Sequence, residues 1–351
     1  MTDFRPPCEA WFRDEEVATR PLRGAGLSGS AVFLVQRPSG ERLVLKSFAP
    51  HVSPERAAWV HALMTHLTAA GLDTVPRLRP ALVGTAPDIA CGTLVADQSG
   101  RLWELVAFLP GSPRSAPSRG EATTALAALA RLHAAAAMLP GAAPGRELSL
   151  GIRTRVSQAA RMQSAPWRLL EPKVRRITPP AVSAGLLTAI EAFESLGGPD
   201  AVKRIAATEP FAVTAQPVLR DVWSDHVLFL DDARLAGFID FHAAGRDTPA
   251  TDLARLLGSW DAPPAARDAT WLEKWRHALD AYEAVRPLES SERRLVPWLH
   301  ATGVICGLDN WFRWLITERR EFADISSVQA RLARLVGELP EAVEIARNTA
   351  P

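Results

Sequence analysis

Three aspartates, each set against a short apolar run, dominate residues 218–257 (VLRDVWSDHVLFLDDARLAGFIDFHAAGRDTPATDLARLL). Asp221 precedes Val227-Leu228-Phe229-Leu230. Asp240 closes Leu235-Ala236-Gly237-Phe238-Ile239, and Asp252 opens Leu253-Ala254-Arg255-Leu256-Leu257. Runs this short, bounded by turn residues, fold as buried strands or as the start of a buried helix. A carboxylate at the end of such an element sits at the rim of a core. The turn residues Asp231-Asp232-Ala233-Arg234 make the first two runs a hairpin with an acid near each outer end.

A chain of 351 residues exceeds what one core usually serves, so two lobes are expected. A formal net charge of +1 argues against a large nonspecific nucleic-acid surface. Cys8, Cys91 and Cys306 lie far apart without a CxxC pair, which fits a reducing compartment and gives no disulfide framework or zinc site. The N-terminal stretch is acidic and broken by prolines, without the apolar region of a signal peptide. The least polar long stretch, residues 295–316, carries His300, Asp309 and Arg313 and reads as a buried helix rather than a membrane span. The expectation is a cytoplasmic protein with neither a nucleic-acid nor a membrane partner. Its oligomeric state is not legible.

Residues 24–46 read as a glycine-bearing turn, a strand at 31–35, a Pro38-Ser39-Gly40 turn and a strand ending at Lys46. Ser53 and Pro54 open a helix that Gly71 ends. Two strands follow, at 91–95 and 102–108. Beyond Pro110-Gly111 the texture becomes helical: an alanine-rich helix at 121–137, then helices at 182–196, 252–260, 269–285, 291–318 and 325–347, with Pro297 and Pro340 as candidate breaks in the last two. Trp260, Trp271, Trp275, Trp298, Trp311 and Trp314 crowd the last third. Such a cluster is either helix-packing core or an aromatic box for a cationic amine.

The glycine turn, Gly24 to Ser30, is not a Walker A loop, because no Gly-Lys-Ser/Thr follows, nor a dinucleotide fingerprint, because a strand follows it. Its glycines allow backbone N–H groups to approach phosphates; a plain flexible hairpin is the alternative. Lys46, at the end of an apolar strand downstream of that turn, is a candidate phosphate-binding cation, unless it is a lysine reaching to solvent from a strand end.

The order of these features resembles the aminoglycoside phosphotransferase and choline kinase-like family, distant relatives of protein kinases. The family pattern H-G-D-x-x-x-x-N, hairpin, I-D-F/W, D-x-A is matched by Asp221, by Ile239-Asp240-Phe241 and by Asp252-Leu253-Ala254. It departs at Leu219-Arg220, in place of His-Gly, and at His226, in place of Asn. The resemblance implies an α+β, bilobal protein kinase-like fold, with a β-rich N-lobe over residues 1–110 and a helical C-lobe over 111–351. It implies ATP and Mg²⁺ as cofactors and a small-molecule hydroxyl, on an amino sugar, amino alcohol or similar metabolite, as acceptor. Gly26, Ser28, Gly29 and Lys46 would hold phosphates, and Glu55 is the helix acid available to pair with Lys46. Ala107 and Leu109 would lie in the hinge beside adenine. Asp221 would be the base, with Arg220 placed either to face it or to contact the transferring phosphate. Asp240 would bind magnesium with His226 or, through oxygen, Asp225, and Asp252 would steady the loop. The altered neighbours of Asp221 leave a second reading, a catalytically impaired nucleotide-binding pseudokinase.

Overall fold

The computed structural model describes residues 6–22, 30–82, 92–177, 179–261, 269–322 and 324–349. Along the chain come α1 (Glu9–Phe12), β1 (Ala18–Pro21), β2 (Val32–Gln36), β3 (Arg42–Ser47), α2 (Pro54–Ala69), β4 (Leu94–Ala96), β5 (Leu102–Ala107), β6 (Ser112–Pro113) and α3 (Arg119–Ala136). Next are β7 (Gly145–Leu148), α4 (Leu150–Ser164), α5 (Glu171–Val174), α6 (Pro180–Ser195), α7 (Gly198–Ala206), β8 (Ala212–Val218), β9 (Val227–Phe229), β10 (Leu235–Phe238) and β11 (Gly245–Asp247). The last four helices are α8 (Ala250–Leu257), α9 (Trp271–Glu283), α10 (Ser290–Phe312) and α11 (Ile325–Asn348). This is the α+β composition expected: a sheet-bearing first part and a helical remainder.

The chain divides into two units that interleave along the sequence. The first comprises residues 1–143, 216–246 and 278–286; the second comprises 144–215, 247–277 and 287–351.

In the first unit an antiparallel sheet has the order β1-β2-β3-β5-β4. Side chains alternate between its faces, as strand geometry demands. Leu43, Leu45, Trp103 and Leu105 point to one face and pack with Trp11 and Phe12 of α1. Leu102 and Leu94 pack on the other with Phe48 and with Ala57 of α2. Lys46 and Glu104 are register partners on β3 and β5, and share the face that carries Leu102. Helix α2 starts as its sequence dictates: Ser53 Oγ accepts from Arg56 N at 3.3 Å, Pro54 takes the first helical position, and Gly71 (φ 83°) lies past its end. Helix α3 is opened by a capping box between Ser118 and Glu121. The hairpin β9–β10 forms where its turn residues place it, with β6 along its other edge. His133 of α3 is fully buried, its Nδ1 2.8 Å from Tyr282 Oη, so its place in the chain reflects packing.

In the second unit β7 pairs with the first half of β8, and helices supply the core. Trp167 packs between Phe193 and Phe312, with ring centroids 4.5 and 4.6 Å away. Trp260, Trp271, Trp275, Trp298 and Trp311 are all buried, which bears out the packing alternative for these five. Pro297 and Pro340 do not end their helices: α10 and α11 run through them. A proline inside a helix costs about 3 kcal/mol, and the buried side chains along both helices offset that loss. Helix α10 instead closes in a π-helical turn, Arg313–Thr317.

Candidate active site

Strand β3 delivers Lys46 and the end of hairpin β9–β10 delivers Asp240; the two meet in an ion pair between Lys46 Nζ and Asp240 Oδ1. Burial pushes the Asp240 carboxyl upward, but the Lys46 ammonium, with the His242 ring adding to it, outweighs that and holds the group below its ordinary value. Asp240 has a left-handed backbone, φ 65° and ψ 70°. For a residue other than glycine this is strained, and such strain gathers at functional sites.

The loop before β9 carries Asp221. Its carbonyl oxygen accepts from Nδ1 of His226 at 2.7 Å. Trp223 Nε1, which can only donate, sits 2.9 Å from His226 Nε2. The tautomer is thereby fixed: the hydrogen is on Nδ1 and the Nε2 lone pair faces the indole. That same Nε2 lies 3.7 Å from Asp240 Oδ2. Ile239 N donates to His226 O at 2.9 Å, locking the loop to the strand that ends in Asp240. Arg220, just before Asp221, is the second left-handed residue here, with φ 63°.

Around this pair is a polar cluster that the sequence did not single out. Glu104 is 4% exposed. Its two oxygens meet His61 Nε2 at 2.7 Å and His242 Nε2 at 2.8 Å. Burial opposes its charge, yet His242 and His61 hold it far below the usual carboxylate range. Arg56 of α2 donates to the carbonyl oxygens of His242 and Ala244. The signal was present: one acid inside the strand Leu102-Trp103-Glu104-Leu105-Val106, where a charge survives only if paired.

The sequence profile of the APH phosphotransferase enzyme family matches residues 20–288. The chain belongs to that family. A homoserine kinase of Methylocella silvestris is 31% identical over 239 residues, spanning 68% of this chain and 63% of that enzyme. A homoserine kinase of Azorhizobium caulinodans is 30% identical over 271 residues, spanning 76% of this chain and 72% of that enzyme. Among solved structures, spectinomycin phosphotransferase in complex with ADP and spectinomycin superposes with a TM-score of 0.59 at 10% identity, over 97% of this chain and 95% of that one. At that identity the likeness speaks for the fold: the protein kinase-like architecture expected from the sequence.

Of the residues the phosphotransferase resemblance singled out, Lys46, Asp221, His226 and Asp240 come together in the first unit. Glu55 does not join them. It is fully exposed at the start of α2, its carboxyl lowered by the Ser53 hydroxyl, while Lys46 takes Asp240 as its partner. The reason is position: Glu55 is on the exposed side of the first turn of α2, and the residue of that helix meeting Glu104, the register partner of Lys46, is His61, almost two turns on. Ala107 N donates to Arg77 O at 2.8 Å, and the Arg42 guanidinium lies 4.3 Å from the Phe108 ring centre, so the segment holding Ala107 and Leu109 is fixed by neighbours. Gly26, Ser28 and Gly29 lie outside the described residues. Asp225 is exposed beside Ser224. Asp252 is fully buried in α8 of the second unit. Asp247, which sequence reasoning passed over, accepts there from the backbone N–H groups of Gly151 (2.9 Å) and Thr248 (2.8 Å).

Proposed function

We propose that this phosphotransferase moves the γ-phosphoryl group of ATP to a hydroxyl of a small metabolite, with a hydroxylated amino acid of the homoserine kind as the leading acceptor. The observation that carries the reading is the Lys46–Asp240 pair, with the strand that ends in Asp240 hydrogen-bonded through the His226 backbone, and the His226 ring in turn bonded, to the loop of Asp221. The acceptor class rests on the two homoserine kinases and narrows the amino sugars and amino alcohols suggested by the sequence.

Phosphoryl transfer needs positioning and charge neutralisation more than covalent help. Lys46 would hold the nucleotide phosphates, with Gly26, Ser28 and Gly29 covering them and the backbone around Ala107 and Leu109 receiving adenine. Asp221 would orient the acceptor hydroxyl and take its proton. Arg220 would meet the transferring phosphate. The residues fit magnesium, which typically takes one or two protein carboxylates and completes its shell with phosphate and water oxygens. Asp240 is such a carboxylate, held ionised. His226 would approach the ion through water, because its Nε2 lone pair already receives the Trp223 indole. Bound there, magnesium would neutralise charge on the β- and γ-phosphates.

The test is ATP turnover and phosphorylated product with purified protein and Mg²⁺ over homoserine, other hydroxylated amino acids, amino alcohols and amino sugars. Homoserine should be among the acceptors, and Asp221→Ala should lower kcat by about 10²–10⁴-fold, the range for loss of a positioned base. No product from any acceptor would sink the reading, and unchanged turnover in the variant would remove Asp221 from its role.

A further inference from the structure

The strained backbone of Asp240 raises the question of what holds it. A left-handed non-glycine residue persists only where its surroundings over-determine it. The turn that follows, Phe241–Ala243, is gripped at its side chain and at its backbone. The His242 ring stacks on Phe48, with centroids 3.8 Å apart and planes at 14°, and its Nε2 reaches Glu104 Oε1 at 2.8 Å. Arg56 takes the turn's carbonyl oxygens. Glu104 continues to His61 of α2, whose Nδ1 meets Thr93 Oγ1 at 2.7 Å.

Kinase-like sites commonly join their strand lysine to a carboxylate on the neighbouring helix. Here the chemistry is exchanged. Helix α2 offers an imidazole, the carboxylate stands on β5 opposite Lys46, and the lysine is left to Asp240. Both Glu104 oxygens are engaged, so each imidazole presents an Nε2–H to it. The carboxylate is then a fixed joint between the helix and the turn.

We infer that His61, Glu104 and His242 form a positioning chain that couples the placement of α2 to the geometry of Asp240, doing through two imidazoles what a helix carboxylate does directly. This rests on the reading of Asp240 as the magnesium-binding residue. His242 is the link nearest Asp240, and its loss frees the turn on one side while Lys46 stays in place.

The experiment is calorimetry of ATP binding, once with Mg²⁺ and once in excess EDTA, on the parent protein, His242→Phe and His242→Gln. Phenylalanine keeps the stack on Phe48 and loses the donor; glutamine restores a donor. In the Phe variant the Kd for Mg²⁺–ATP should rise about tenfold or more, the usual penalty for losing a partner that orients a metal ligand. Its Kd in EDTA should stay within about twofold, and the Gln variant should recover most of the difference. If His242→Phe does not fold, Glu104→Gln, which removes the charge and keeps the bulk, should show the same magnesium-specific weakening. Equal weakening with and without Mg²⁺, no weakening in a folded variant, or a parent that gains nothing from Mg²⁺ would overturn the proposal. No acceptor is needed, so failure of the positioning chain is read separately from failure of phosphoryl transfer.

Discussion

Gly245 stands against Arg220: a methyl group on it would lie 2.5 Å from Arg220 Nη1 and 3.0 Å from Cδ. The clash is with a movable side chain and not with backbone. Gly245→Ala should therefore leave the melting temperature within a few degrees of the parent while turning the Arg220 guanidinium away. On the proposed role of Arg220 at the transferring phosphate, kcat should fall roughly tenfold or more, and the KM for ATP should move less. Steady-state kinetics beside thermal melting check this; a variant with full kcat would place Arg220 outside the chemistry.

Arg220→Gly tests the same residue from its backbone. At φ 63° glycine relaxes strain of about 1–3 kcal/mol but adds chain entropy in the unfolded state of about 0.5–1 kcal/mol. The variant should be as stable as the parent or slightly more so, yet slower. It also removes the charge that, after burial, lowers the Arg56 guanidinium. Denaturant unfolding and turnover, measured on one preparation, should therefore part, with stability held or raised and turnover lowered.

Backbone contacts set a harsher limit at Gly237. Its φ of 149° suits glycine, and an added Cβ would lie 2.3 Å from the carbonyl oxygen of Thr74, which also accepts from Phe238 N at 2.8 Å. The Thr74 carbonyl is backbone and cannot swing aside as a side-chain end would. Gly237→Ala should destabilise the first unit by several kcal/mol, as overpacking plus strain would. Urea unfolding followed by circular dichroism would show it as a lower midpoint, and an unchanged midpoint would contradict the described contact.

Acid sensitivity should arise in the second unit, at His300. Burial, with Arg334 and Lys274 adding to it, lowers its pKa from 6.5 to about 3, and its ring stacks on Trp271 at 4.4 Å. Below pH 6.5 the unfolded chain takes up a proton that the folded ring refuses. Its contribution is complete above that pH and is lost as pH falls from 6.5 toward about 3. Each unit in that window costs at most about 1.4 kcal/mol. His300→Phe, which keeps an aromatic ring against Trp271, should flatten the slope of melting temperature against pH between 4 and 6. An equal slope in both proteins would assign the acid loss elsewhere.

How far the sequence could be read follows from what kind of interaction fixes each element. Helix α2 was legible because its boundaries are local: Ser53, Pro54 and Gly71 act within a few residues of themselves. The β9–β10 hairpin was legible for the same reason. Pro297 misled because its cost is local while the packing that overrides it is contributed by distant helices. At the site, Asp221 and Asp240 follow from motif order, whereas the partner of Lys46 depends on which turn of α2 faces β5, a matter of three-dimensional register. The joint at Glu104 joins residues 61, 104 and 242, and no periodicity links positions so far apart. Only the oddity of a charge in an apolar strand could have flagged it.

The interleaving of the two units bears on how the protein is made. The first unit draws on residues 1–143, 216–246 and 278–286, so its N-terminal sheet emerges from the ribosome long before the hairpin that carries Asp240. Until then Lys46 has no aspartate and Glu104 lacks one of its imidazoles. The nascent sheet holds a buried-type carboxylate with half its partners, a state that resists tight closure. Completion of the first unit thus waits for synthesis past residue 286, by which time much of the second unit has also been translated.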